Sequence, residues 1–213
     1  MSDGSGSITG SPTPSGTRGR KPELVRTVYA VMARDGVHRV PLQQIAEEAG
    51  VSKGLLLYHF ATKDAMVLAA MDWVLEATAE RIRQRVRAVT RPQELLSAVL
   101  DAIWVDPAAN RDFFRFYLDG VEHQARSPEF AEFGERGRRI IEGLYRDVIA
   151  EGSEAGVFCV DDVDAAAVEM RAAIEGLFLV WLQTTDWKSS HPRFKGLCLE
   201  ALERVLGVDR RHP

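Results

Sequence analysis

Apolar residues recur along most of this chain at offsets of three, four and seven. Nowhere do they alternate with polar ones between hairpin turns, so the pattern predicts helices and no sheet. A first helix is expected from Pro22, a favourable first-turn residue, to just before Gly36. Its stripe is Leu24, Val28, Val31 and Met32, widened by Val25 and Tyr29. The stretch PLQQIAEEAGVSKGLLLYHF, Pro41 to Phe60, then holds two short helices about one turn. Leu42, Ile45, Ala46 and Ala49 share one face of the first, Gly50 breaks the pattern, and Ser52 is placed to cap the second.

The spacing inside that stretch is that of a helix-turn-helix. Ala46 is small where two steeply crossing helices come closest, Gly50 supplies the turn, and Leu56 plugs the gap between them. At 100° per residue, Leu56, Leu57 and Phe60 form the packing side of the second helix. Gly54, Leu55, Tyr58 and His59 form the side a DNA major groove would receive.

Thr62 and Asp64 mark the start of a long helix that carries Met66, Leu68, Met71, Trp73, Val74, Leu75 and Ile82 to about Val89. Its arginines Arg81, Arg83, Arg85 and Arg87 alternate, which reads as a solvated face. Prolines 92, 107, 128 and 192 and a glycine turn at 152–156 divide the remainder into helices over 93–105, 110–124, 129–151, 163–184 and 193–206. The expected fold is all-α: a three-helix N-terminal DNA-binding domain with the helix-turn-helix, followed by a larger helical domain.

Charge changes how the 213 residues are divided. The net charge of −4 argues against nucleic acid until it is counted by segment: −1 over 1–17, +3 over 18–64 and −6 over 65–213. Residues 1–17, made of Gly, Ser, Thr and Pro, are expected to be a disordered tail, 18–64 the DNA-binding domain and 65–213 the remainder. Arg18, Arg20 and Lys21 form a basic arm, suited to the phosphate backbone or minor groove and equally to solvent. Cys159 and Cys198 form neither a disulfide framework nor a metal site and read as small buried hydrophobes. No run of apolar residues is long enough to span a membrane, and no secretory signal pattern opens the chain, so the cytoplasm is the expected location.

From Leu24 to Met66 the chain resembles the TetR family of bacterial transcriptional regulators. The family pattern IAxxAGVSxGxLYxHFxxKxxL is met here by IAEEAGVSKGLLLYHFATKDAM, with matches at Ile45, Ala46, Ala49, Gly50, Val51, Ser52, Gly54, Leu56, Tyr58, His59, Phe60 and Lys63. Val40 stands where a capping Thr is frequent, Leu57 where Tyr is frequent, and Met66 where Leu is usual. The resemblance implies a ligand-binding and dimerisation domain in the C-terminal helices. It also implies DNA contacts from Ser52, Lys53, Gly54, Tyr58, His59 and Lys63, with Gln43 and Gln44 as further contacts. Leu55 is apolar and groove-facing, able to touch a thymine methyl or to sit at the edge of the small core.

In the larger domain the aromatic residues read mostly as core. Trp104, Phe114, Tyr117, His123, Met170 and Trp181 are the candidates for a mainly apolar ligand cavity. On the last two helices Ile174, Leu177, Phe178 and Trp181, with Phe194, Leu197, Leu202 and Val205, offer a homodimer seam that Ala173 and Gly176 let close. The expectation is a repressor that binds a pseudo-palindromic operator as a dimer and is released by a small molecule. A transcriptional activator, a ligand-independent DNA binder, and a helical enzyme with a DNA-binding appendage remain as alternatives. No nucleophile and base pair, metal-ligand set, phosphate loop or cofactor motif stands out, and Asp161, Asp162 and Asp164 are the acids expected at a helix start.

Overall fold

A computed structural model describes residues 17–208, with side chains from Lys21 onward. The expected tail therefore falls almost wholly outside the described residues, as do the side chains of Arg18 and Arg20. Among the described residues there are nine α-helices and no strand: α1 (Thr17–Asp35), α2 (Leu42–Glu48), α3 (Lys53–His59), α4 (Lys63–Arg87), α5 (Leu95–Ile103), α6 (Pro107–Gln124), α7 (Pro128–Glu154), α8 (Val163–Leu182) and α9 (Trp187–Val205).

Two helices begin earlier than the proline punctuation implies. Helices α1 and α9 start five residues ahead of Pro22 and Pro192. A proline at the sixth position deprives only a first-turn carbonyl of its partner, so the helix survives it. Helix α6 begins at Pro107 because the Asp106 carboxylate accepts from the N–H groups of Ala108 (2.9 Å) and Ala109 (3.0 Å). Helix α5 stops at Ile103, where side chains take over its last carbonyls: Asn110 Nδ2 donates to Ile103 O (2.8 Å) and Arg81 Nε to Ala102 O (2.8 Å). Arg81 is thus half-buried and structural, unlike the solvated face expected of it.

The helices enclose two apolar cores joined along α4. The first gathers Leu24, Val28, Met32, Ile45, Leu56 and Met66, and takes in Phe116 from α6 and Phe130 from α7. The second runs from Ile82 to Leu206 and centres on Trp104, which stacks on Phe178 (3.9 Å between centroids) and meets Trp181 edge-on. Cys198 lies inside it, and burial pushes its thiol pKa up to about 12. Cys159 departs from expectation: its N–H donates to Leu206 O (2.9 Å), but the residue is exposed.

The seam expected on the last two helices is corrected at five of its residues, while Leu177, Leu197 and Val205 are half-buried. Ile174, Phe178, Trp181, Phe194 and Leu202 are all buried within the subunit's own core. The outward side of α8 is instead Val168, Ala172, Gly176, Leu179 and Val180, an exposed apolar strip at helical spacing. A Cβ added at Gly176, or at Gly196 on α9, meets nothing within 4 Å.

The turn between α2 and α3 rests on Gly50, whose φ is 64°. An added Cβ there also meets nothing within 4 Å, so the cost of substitution lies in the backbone. Gly50→Ala is expected to destabilise the protein by about 1–2 kcal/mol, read as a lowered Tm in thermal unfolding.

Candidate DNA interface and effector cavity

The helix-turn-helix is built from local bonds. Val51 N–H donates to Ala46 O (2.9 Å) across the turn, and Ser52 Oγ accepts from Leu55 N–H (3.1 Å), capping α3 as expected. Helix α2 has no side-chain cap: Pro41 occupies the position, and Val40 O receives the Lys63 ammonium instead (2.7 Å). Burial holds the Lys63 pKa below its usual range, against the pull of Asp64. Lys63 is therefore a tie between α4 and the start of α2, with only part of its donor capacity left for phosphate.

Helix α3 divides differently from its helical wheel. Leu56 and Phe60 are buried, but Leu57 is outward-facing and exposed, while Leu55 is half-buried. His59, expected on the open side, is half-buried too; its Nε2 is shielded and has no hydrogen-bond partner among the described residues. Ser52, Lys53, Gly54 and Tyr58 stand together in the open, Tyr58 at 77% exposure. A Cβ at Gly54 would approach only Ser52 Oγ, at 3.9 Å, so no packing demands a glycine there and a duplex backbone has room to come close.

On α2, Gln43 donates to Glu47 (2.8 Å) and Gln44 to Asp35 (2.7 Å) and Glu48 (3.3 Å). Arg34 binds both of those acids and holds their pKa values below the usual carboxylate range. The ammonium of Lys21 lies 5.9 Å above the Phe60 ring, which places the described part of the basic arm beside α3.

A cavity of about 140 Å³ lies between α4, α6, α7 and α8. Its apolar wall includes Met71, Leu75, Phe113, Phe133, Ile141 and Phe178. Of the residues singled out from sequence, Phe114 and Tyr117 line it. Trp104, Met170 and Trp181 do not; all three are buried in the second core. His123 lies elsewhere, stacked on His38 (5.0 Å) with Nδ1 against Asp119 O (2.7 Å).

Sequence reading missed the polar wall. Arg171 Nε reaches Glu175 at 2.6 Å, and the Tyr117 hydroxyl donates to the same carboxylate (3.0 Å) while accepting from Arg171 Nη2 (3.3 Å). Behind them the buried Glu142 accepts from Arg138 Nη1 (2.8 Å) and Arg171 Nη1 (3.4 Å). Burial raises the Tyr117 pKa, with Glu175 adding to the shift. The signal available in the chain was the i, i+4 spacing of Arg138 with Glu142 and of Arg171 with Glu175, which also describes any solvated helix face.

Met71 and Phe116 line the cavity and also belong to the core of the DNA-binding end. Gly120 on α6 makes room for Met71, since a Cβ there would fall 2.0 Å from its methyl. Among the described residues no group of acids, histidines and cysteines is placed to hold a metal ion, and no helix is long and apolar enough to cross a membrane.

Comparison with known proteins gives two family matches. Residues 25–70 match the model for bacterial regulatory proteins of the tetR family, and residues 92–207, more than half of the chain, match that for the C-terminal part of BetI-type transcriptional repressors. The HTH-type transcriptional regulator BetI of Yersinia pestis (strain Pestoides F) is 26% identical over 164 residues, covering 75% of this chain and 79% of that protein. The HTH-type transcriptional repressor KstR2 of Mycobacterium tuberculosis is 29% identical over 146 residues, covering 68% and 72%. A crystal structure of a putative transcriptional regulator from Saccharomonospora viridis in complex with choline superposes with a TM-score of 0.80 at 22% identity, over 92% of this chain and 100% of that one.

Proposed function

The chain belongs to the tetR family of bacterial regulatory proteins, with a BetI-type C-terminal half, and from that premise we propose that it is a cytoplasmic, homodimeric repressor released from a pseudo-palindromic operator by a small molecule. In this reading 18–64 contacts DNA and 65–213 pairs the subunits and holds the effector. The observation that supports it most is the shared wall: a ligand pressing on Met71 or Phe116 presses on the core that seats α3. The choline in the solved relative makes a small organic effector a natural expectation for this chain as well.

Ser52, Lys53, Gly54 and Tyr58 form the proposed contact surface, with Lys21, Gln43, Gln44, Leu55, His59 and Lys63 around it; Arg18 and Arg20, whose side chains lie outside the described residues, are proposed as contacts from the sequence alone. Pairing through the last two helices, with the outward strip of α8 at the seam, would set two recognition helices for half-sites about 34 Å apart, one duplex turn. The test is a gel-shift series with the DNA upstream of the protein's own gene. Sequence preference and a steep fall of affinity with salt support the reading, and the absence of both refutes it. A reporter placed behind the same DNA decides the sign of regulation: repression is expected, and expression that rises with the protein would make it an activator.

Removing a phosphate contact has its own signature. Lys53→Ala is expected to weaken binding evenly across related operators and to lower the slope of log affinity against log salt by about 0.9. A change in sequence preference with an unchanged slope would assign Lys53 to base reading instead.

A further inference from the structure

The effector reading leaves the ligand's chemistry open, and the cavity lining narrows it. Tyr145 on α7 lines the cavity and is 3% exposed, and its hydroxyl makes no side-chain hydrogen bond among the described residues. Burial raises its pKa, so the hydroxyl keeps its proton and remains a donor. A donor without a protein acceptor, on a residue that lines a cavity, is a place for a ligand acceptor.

The charged groups close on one another. Glu175, the carboxylate in the lining, is taken by Arg171 and Tyr117. Arg138 is engaged by Glu135 and Glu142, and Arg171 by Glu142 on its far side. A cation entering would meet two guanidinium groups and a neutralised carboxylate. An anion would compete with Glu135, Glu142 and Glu175 for the two guanidinium groups. Either ion would give up its water without a free counter-charge to replace it.

We propose that, given the effector reading of this cavity, its ligand is an uncharged, chiefly apolar molecule whose carbonyl or ether oxygen accepts a hydrogen bond from the Tyr145 hydroxyl. This class differs from the quaternary ammonium held by the solved relative. The cavity is comparable in size to the apolar cavity of about 150 Å³ known to admit benzene, so one ring with a short substituent is a suitable probe.

The experiment measures binding to the full-length protein by ligand-observed NMR, using four molecules that share one ring. Acetophenone carries the acceptor, cumene has the same outline without it, benzoate is the anion and phenyltrimethylammonium the cation; choline is added as a fifth. Acetophenone is expected to bind about tenfold or more tighter than any of the three ions. Tyr145→Phe is expected to weaken acetophenone about two- to tenfold, the range of one neutral hydrogen bond, and to leave cumene unchanged.

Tighter binding of any ion, no effect of Tyr145→Phe on acetophenone, or no binding of acetophenone overturns the proposal. Ile141→Trp, which fills the cavity, separates this from the broader reading, with Leu75→Trp as a second blocking variant should the first not fold. If the blocked protein binds acetophenone undiminished, the cavity itself is not the binding site. If blocking abolishes binding while Tyr145→Phe spares acetophenone, only the ligand class fails.

Discussion

Gly176→Arg is expected to convert the protein to a monomer and to lower operator affinity by about a thousandfold or more, the usual gap between specific and non-specific DNA binding. The substitution should leave the subunit fold intact: the site is exposed, a Cβ there meets nothing within 4 Å, and arginine is a better helix former than glycine. What it removes is close approach. Ala172, Gly176 and Val180 stand one turn apart on the outward side of α8, and an isologous interface brings each such strip against its own copy. Arginine in the middle of the strip holds the two helices apart and buries like charges together. Sedimentation velocity, with circular dichroism to check the fold, reads the result. A variant that stays dimeric moves the pairing surface away from α8.

Trp181→Ala should cost about 3–5 kcal/mol, the range for truncating a fully buried aromatic residue. Trp181 is 0% exposed and meets Trp104, Phe178 and His191 edge-on, at 5.9, 6.0 and 5.2 Å between centroids. Its Nε1 donates to Trp187 O at 2.7 Å, a bond that ties the end of α8 to the start of α9. Alanine leaves a void in the second core and takes away that acceptor's partner. A Tm lowered by about 6–20 °C is expected for a chain of this size. An unchanged Tm with a lost effector response would return Trp181 to the ligand site.

These two predictions fall where sequence reading and structure part, and the reason is the same for both. Helix α8 is apolar nearly all the way round, so helical periodicity cannot say which side is core and which is open. The structure turns Ile174, Phe178 and Trp181 inward and leaves Val168, Leu179 and Val180 outside. The aromatic residues of the larger domain pose the same problem. Phe114 and Tyr117 reach the cavity while Trp104 stacks on Phe178, a division set by packing between helices distant in the chain.

The helix-turn-helix was legible because its determinants are local. Gly50 supplies the positive φ, Ser52 caps α3, and Ala46 and Leu56 are buried at the crossing. One error there is instructive. Leu55 and Leu57 lie at equal angles on either side of Leu56, and only a helical Phe60 would favour Leu57 as the packing neighbour. Phe60 is not on the wheel: it follows the last helical residue with an extended backbone, φ −136° and ψ 102°, so its direction says nothing about Leu57.

Met71 and Phe116 belong both to the cavity wall and to the core of the DNA-binding end, and if the cavity holds the effector as proposed, the two ends are linked thermodynamically. If filling the cavity lowers operator affinity by some factor, then operator DNA must lower effector affinity by that same factor, whatever path the coupling takes through the helices. The promoter-bound protein is then a poorer sensor than the free protein. The effector concentration that switches the gene depends on how much operator competes for the protein, so the response threshold belongs to the protein and its DNA jointly.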